Sequence, residues 1–263
     1  MEETKKTGGV TRREALGTSA KGLAGAMFVA GFGKELDVAG WLFGKDAVSK
    51  PAYDPTKHMY TFLFDISKCI GCGSCVRACE RENNVPPHHF RTWIERYRVF
   101  GEDRVLVDSP NGGHDGFEPD PSGEVARKAF FVPKICNHCE FTPCVQLCPV
   151  GASYRTPDGV VLVDVKRCIG CGYCVQACPY GSRFLNPDGH VASKCTMCYH
   201  RITKGMRPTC VEMCPTGARR WGDLKKPGDP VAEILATRET HVLKPELLTK
   251  PHCFYLGMYK EVR

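Results

Sequence analysis

CIGCGSCVRACE at residues 69–80 and CIGCGYCVQACP at residues 168–179 agree at nine of twelve positions. Each sets four cysteines at C-x2-C-x2-C-x3-C: Cys69, Cys72, Cys75 and Cys79 in the first, Cys168, Cys171, Cys174 and Cys178 in the second. Two stretched quartets complete the pattern. Cys136, Cys139, Cys144 and Cys148 read C-x2-C-x4-C-x3-C, and Cys195, Cys198, Cys210 and Cys214 read C-x2-C-x11-C-x3-C. The stretched pair is also related, since CVQLCPVGA at 144–152 matches CVEMCPTGA at 210–218 at six of nine positions. The chain therefore reads as two units, each a compact quartet plus a stretched one. Sixteen of seventeen cysteines are accounted for, leaving Cys253.

Three quartets run directly into proline, at Pro149, Pro179 and Pro215, which completes the run of bacterial 4Fe-4S ferredoxins. Three sulfurs must wrap one corner of a cubane, so the chain curls with a ligand every third residue. Gly71, Gly73, Gly170 and Gly172 permit that curl, because a residue without Cβ adopts positive φ at little cost. The fourth cysteine then lies on a short helical turn that proline ends, and in two-cluster ferredoxins it ligates the other cluster. Structural zinc needs two separated pairs closing one tetrahedron, not three cysteines in seven residues plus a fourth. A disulfide scaffold belongs to small secreted chains without a core, whereas this chain has 263 residues and 42% hydrophobic content. Sixteen thiolates predict four 4Fe-4S clusters. Cys253, alone in Pro251-His252-Cys253-Phe254, reads as a buried, inert thiol. Spacing leaves the pairing of quartets open: first with second and third with fourth, or one ferredoxin nested inside the other.

The formal charge of +7 does not point to nucleic acid. Four oxidised clusters with their thiolates contribute about −8, bringing the loaded chain near neutrality. No basic stripe is interleaved with aromatics. Lys68, Arg167 and Lys194 each precede a first cysteine, and Lys134 lies two before another, where cations tune cluster potential. Arg201, Lys204 and Arg207 read equally as a partner face or a solvated loop. No G-x-G-x-x-G, P-loop or nucleophile with a base at recognisable spacing occurs, so no catalytic residue is predicted. His138 and His200 read as cluster neighbours.

From about residue 59 to 263 the chain resembles the four-cluster iron–sulfur subunits of the dimethyl sulfoxide, polysulfide and tetrathionate reductase group. The resemblance rests on the quartets, on CNHCEFTPCVQLCP at 136–149, on DGVVLVDVKRCIGCGYCVQACPYGSRF at 158–184, and on VLKPELLTKPHCFYLG at 242–257. It implies the nested pairing. Cluster 1 takes Cys69, Cys72, Cys75 and Cys214, and cluster 2 takes Cys79, Cys195, Cys198 and Cys210. Cluster 3 takes Cys136, Cys139, Cys144 and Cys178, and cluster 4 takes Cys148, Cys168, Cys171 and Cys174. Glu80, in place of proline, departs from the pattern without removing a ligand. The resemblance further implies a hetero-oligomeric complex, in which single electrons pass between a polytopic quinone-handling membrane subunit and a molybdopterin catalytic subunit. A second reading replaces molybdenum by cytochrome c or other iron–sulfur subunits. A third makes the chain a catalytic iron–sulfur enzyme with a labile cluster.

Thr11-Arg12-Arg13-Glu14-Ala15-Leu16 resembles a twin-arginine signal, followed by an apolar segment from Gly22 to Gly33. That route exports folded proteins, as a cluster assembled in the cytoplasm requires, and places the chain at the periplasmic side of the cytoplasmic membrane. No A-x-A site follows before Trp41, so cleavage and retention as an anchor both stay open. The expected fold is α+β and loop-rich: two nested ferredoxin-like units with small antiparallel sheets. Residues 1–44 form the signal or anchor and 45–58 a linker. Residues 59–130 with 181–225 form the outer unit, 131–180 the inner unit and 226–263 a docking tail. Strands are expected at Tyr60–Ile66, Lys128–Val132 and Val160–Val165. Residues 83–99 read as helix or loop and 108–123 as a surface excursion. Asp229 and Pro230 read as N-cap and first position of a helix through Arg238, and the tail as wrapped over a partner or the core.

Overall fold

The computed structural model describes residues 53–102, 104–119 and 123–262. The expectations for the signal, the apolar segment and most of the linker lie outside the described residues. Strand β1 (Tyr60–Asp65) is buried along its whole length and forms the centre of a sheet. On one side it pairs antiparallel with β9 (Arg219–Asp223), Phe62 opposite Trp221 and Phe64 opposite Arg219. On the other it pairs parallel with β10 (Cys253–Leu256), Phe64 opposite Tyr255. Chain positions some 160 and 190 residues away thus close on the strand that leads into the first quartet.

The β10 pairing corrects the expectation of antiparallel sheets throughout. Tyr255 is wholly buried, its ring 5.2 Å from Phe64, and its hydroxyl donates to the Pro133 carbonyl at 3.0 Å. Of the two coverings expected for the tail, the core is the one it adopts here. Tyr259 packs on Phe130 at 4.4 Å.

A second sheet has the order β3-β2-β4, with β2 (Thr92–Phe100), β3 (Arg104–Asp108) and β4 (Lys128–Ile135) all antiparallel. Residues 92–99, read as helix or loop, are a strand instead. Charged residues at 95, 96 and 98 hid its alternation, since both faces are covered: Arg96 pairs with Asp108 at 2.7 Å, while Glu95 accepts from Trp93 Nε1 and Tyr97 Oη. The excursion at 108–123 also turns inward. Gly112 and Gly113 are buried and the His114 carbonyl accepts from Arg77 in the first quartet's helix.

The remaining sheet is local. Hairpins β5–β6 (Ser153–Arg155, Val161–Val163) and β7–β8 (Arg183–Leu185, Ala192–Lys194) each follow a quartet's last cysteine. The quartets' final cysteines sit on or beside short helices. These are α1 (Ser74–Asn83), α2 (Pro143–Gln146), α3 (Tyr173–Gln176) and α5 (Thr209–Glu212), with α4 (Tyr199–Ile202) inside the fourth quartet. Helix α1 packs on α5, and α2 on α3. No helix among the described residues is long and apolar enough to cross a membrane.

Helix α6 (Pro230–Thr237) starts where the sequence placed it. Asp229 accepts from the Val231 and Ala232 N–H groups at 2.9 and 3.3 Å, and also from the Asp223 N–H at 3.1 Å. It therefore caps the helix and closes the end of β9 at once. Asp229→Ala is expected to lower stability by about 1–2 kcal/mol. Equilibrium denaturation under anaerobic conditions checks this, with the exposed Glu239→Ala within ~0.5 kcal/mol of the parent.

Candidate metal centres

None of the seventeen cysteines is paired in a disulfide. Helical turns and positive-φ glycines bring twelve of them into three groups. Cys69 and Cys75 lie beside Cys214: burial pushes the Cys69 thiol up to about 11, with Cys75 and Cys214 adding to the push and the Gly71 N–H opposing it. Cys72 and Cys214 likewise act on Cys75. A second group surrounds Cys79, raised well above the usual thiol range by burial and then by Cys195, Cys210 and Cys198. Cys139 is pushed up to about 12 by burial, with Cys136, Cys144 and Cys178 as its thiol neighbours.

Cys148, Cys168, Cys171 and Cys174 belong to the loops around α2 and α3. Cys148 accepts from the Ser153 N–H at 3.4 Å and Cys168 from the Ala192 N–H at 3.4 Å. Against the upward push of burial, backbone N–H groups of Ser153, Val150, Ala152 and Gly151 bring the Cys148 thiol below its ordinary value. Such amides favour the charged form that a metal needs. Cys174 is buried and Cys171 exposed.

The sets adjoin in order. Cys75 acts on Cys210, so the group of Cys69 neighbours that of Cys79. Cys136 is the foremost thiol acting on Cys195, which joins the group of Cys79 to that of Cys139. Cys253 lies at this second junction: wholly buried, it donates to the Cys136 carbonyl at 3.4 Å and is pushed upward by burial, then by Cys136, Cys195 and Cys139. Its expected burial holds.

The cations divide into two classes. Lys68 and Arg167, singled out for their place next to cysteines, are 45% and 71% exposed and face Asp65 and Asp164 instead. Lys134 is buried against Glu95 at 3.4 Å. Lys194 is 1% exposed, its Nζ donating to the Val161 and Cys195 carbonyls. Two further buried cations escaped the sequence reading, Arg183 at 4% and Arg219 at 3% exposure. Their signal was present: each stands five residues after a final cysteine, in Cys178-Pro-Tyr-Gly-Ser-Arg183 and Cys214-Pro-Thr-Gly-Ala-Arg219. The matching residue after Cys148 is Ser153, whose hydroxyl accepts from Arg183 Nη1 at 3.0 Å.

Among the described residues, no three His, Cys, Asp or Glu side chains converge to hold a single ion. The sets are not laid out for a mononuclear tetrahedron. They do fit an anionic polynuclear iron–sulfur group. Arg219 and Arg183 are buried guanidinium groups that face thiols, Arg219 toward Cys210 and Arg183 toward Cys174, and buried cations demand a nearby anion. His138 accepts from the Val161 N–H through Nδ1 at 3.0 Å, leaving the proton on a buried, unpartnered Nε2. Burial, then Lys194, holds its imidazole neutral. His200 is instead bound to Glu82 at 2.7 Å, and Arg201 bridges Glu82 and Glu212, so that basic cluster is spent within the chain at Arg201 while Lys204 and Arg207 stay exposed.

Two models described as a 4Fe-4S dicluster domain match residues 127–224 and 68–152. The tetrathionate reductase B subunit of Salmonella typhimurium is 44% identical over 77% of this chain and 74% of its own length. The protein belongs to the iron–sulfur B subunits of the tetrathionate, dimethyl sulfoxide and polysulfide reductase group. The corresponding tetrathionate reductase protein of Archaeoglobus fulgidus is 47% identical over 76% of this chain and 82% of its own, and that of the polysulfide reductase of Wolinella succinogenes is 37% identical over 74% and 92%. It is thus an iron–sulfur electron-transfer subunit, and its dicluster domains are 4Fe-4S domains.

Backbone geometry at the ligand loops is demanding. Gly170 has φ +69°, and a Cβ there would run into the His190 carbonyl, whereas Gly217 has φ +64° with open space around it. Gly217→Ala should cost roughly 1–2 kcal/mol of left-handed strain. Gly170→Ala adds a backbone clash and should cost more, with iron per chain falling; anaerobic thermal unfolding and iron assay of both variants measure the difference.

Proposed function

We propose that the chain relays single electrons through four 4Fe-4S clusters within a hetero-oligomeric respiratory oxidoreductase. Cys69, Cys72, Cys75 and Cys214 hold one cluster, and Cys79, Cys195, Cys198 and Cys210 the second. Cys136, Cys139, Cys144 and Cys178 hold the third, and Cys148, Cys168, Cys171 and Cys174 the fourth. The single observation carrying this reading is that thiols distant in sequence are neighbours in the nested pattern, Cys79 with Cys195, Cys198 and Cys210 above all. The packing of α1 on α5 and of α2 on α3 supports it further. Bound clusters of this kind exchange one electron each at potentials tuned by charge, hydrogen bonding and exposure.

The protein's part is insulation in the middle and access at the ends. Every cysteine of the second set is buried, the third set has two partly open cysteines in Cys144 and Cys178, and the terminal sets are the most open, with three partly open in the first and Cys171 exposed in the fourth. Around them Ile70 and Met213 at one end, and Leu147, Ile169 and Tyr173 at the other, stand 57–65% exposed. Apolar side chains at both termini suit two protein partners. We assign these as a polytopic quinone-handling membrane subunit and a molybdopterin catalytic subunit. No catalytic residue is proposed in this chain. A second reading, a quinone-linked complex without molybdenum, draws on a 32% identical relative, the Hdr-like menaquinol oxidoreductase iron-sulfur subunit 1 of Archaeoglobus fulgidus. Export by the twin-arginine route to the periplasmic side follows from Arg12-Arg13.

Anaerobically purified protein should contain about sixteen iron atoms and show four centres by electron paramagnetic resonance. Cys144→Ser should perturb one centre and leave those of the first two sets reducible. Loss of all four signals, or iron well below that content in the parent, would refute the reading, and metal analysis of co-purifying subunits decides whether molybdenum is present.

A further inference from the structure

We propose that Arg219, Lys194 and Arg183 are a series of buried counter-cations, one in each gap between consecutive cysteine sets, and that each raises the reduction potential of both flanking clusters. The inference rests on the four-cluster reading above.

Position comes first. Arg219 leaves β9 over the Phe64 ring at 5.2 Å, and the charges that act most on it are the thiols of Cys75, Cys69 and Cys214 in the first set and Cys210 in the second. Lys194, at the end of β8, lies among Cys136 and Cys144 of the third set and Cys195 of the second. Arg183, on β7, faces Cys136 and Cys144 of the third set and Cys174 of the fourth. Three gaps separate four sets, and each gap holds one of these cations.

Energetics points the same way. In the β7–β8 hairpin Arg183 stands directly opposite Lys194, both buried. Like charges paired across strands repel, and burial strengthens the repulsion. No carboxylate ranks among the charges acting most on any of the three, and the buried guanidinium groups of Arg183 and Arg219 are directed at cysteine sulfur, Cys174 for the first and Cys210 for the second. Burial, and then Arg183, push the Lys194 ammonium toward its neutral form, and anionic groups lying between the cations offset that push. Internal duplication repeats the arrangement, because Arg183 and Arg219 occupy the same place after Cys178 and Cys214 and each reaches from its own set into the next. An electron entering either neighbour adds one negative charge and forms no bond, so a cation shared by two centres favours reduction of both.

The test is a redox titration, by electron paramagnetic resonance, of the full chain in the complex with which it co-purifies. Arg219→Gln, Lys194→Gln and Arg183→Gln should each lower two of the four midpoint potentials. The reduction equilibrium should change tenfold or more, about 60 mV for one electron. Two centres should respond to one variant only and the other two to two variants. Arg219→Lys and Lys194→Arg should restore the parent values. Lys68→Gln and Arg167→Gln, adjacent to ligands but exposed, should shift nothing. If Lys194→Gln fails to load iron, the two arginine variants must move separate pairs; if either arginine variant fails, the remaining two must share one centre. Shifts confined to one centre per variant, spread equally over four, or absent would overturn the inference. Fewer than four centres in the parent would instead remove the four-cluster reading on which it stands.

Discussion

Sulfur binds iron as thiolate, and here the thiolates must be charged in the interior. Burial alone drives Cys69, Cys79, Cys139 and Cys210 away from the charged form, and neighbouring thiols drive them further. Whatever the protein builds around its ligands has to reverse that penalty. It uses backbone amides at Cys148 and Cys214, cations at Arg183, Lys194 and Arg219, and the ligated metal itself. Neither the buried cations nor the buried thiols are tolerable alone, so each is the other's condition.

The fold exists to hold these groups in register. Pairing of β1 with β9 brings Arg219 alongside the first quartet, which lies some 150 residues earlier. The parallel addition of β10 seats Tyr255 under Phe64 and places Cys253 between the second and third sets, where its small apolar thiol fills space without offering a charge. The short helices are too brief to be stable by themselves and persist because they pack in pairs across the ligand sets.

Much of this was legible in the chain. Cysteine spacing, proline after the last ligand and glycine between ligands carry local geometry, and local geometry is what spacing encodes. The Asp229–Pro230 start of α6 was readable for the same reason, a cap being made by neighbours in sequence. The strand at Thr92–Phe100 was not, because its charged residues are satisfied by Asp108, Lys134 and backbone from other segments. Lys68 and Arg167 looked equivalent to Lys194 in sequence. Solvent and a nearby aspartate separate them in space.

The sequence by itself determined the donor set, its grouping in fours and the two-fold repetition, since each is written in the order and spacing of residues along the chain. Tertiary structure decided which thiols become neighbours, which cations lose their water, and that Arg183 and Arg219 matter at all. Proximity between distant segments depends on strand pairing and packing, and the strength of a charge depends on how much water is left around it. Neither quantity is written in spacing.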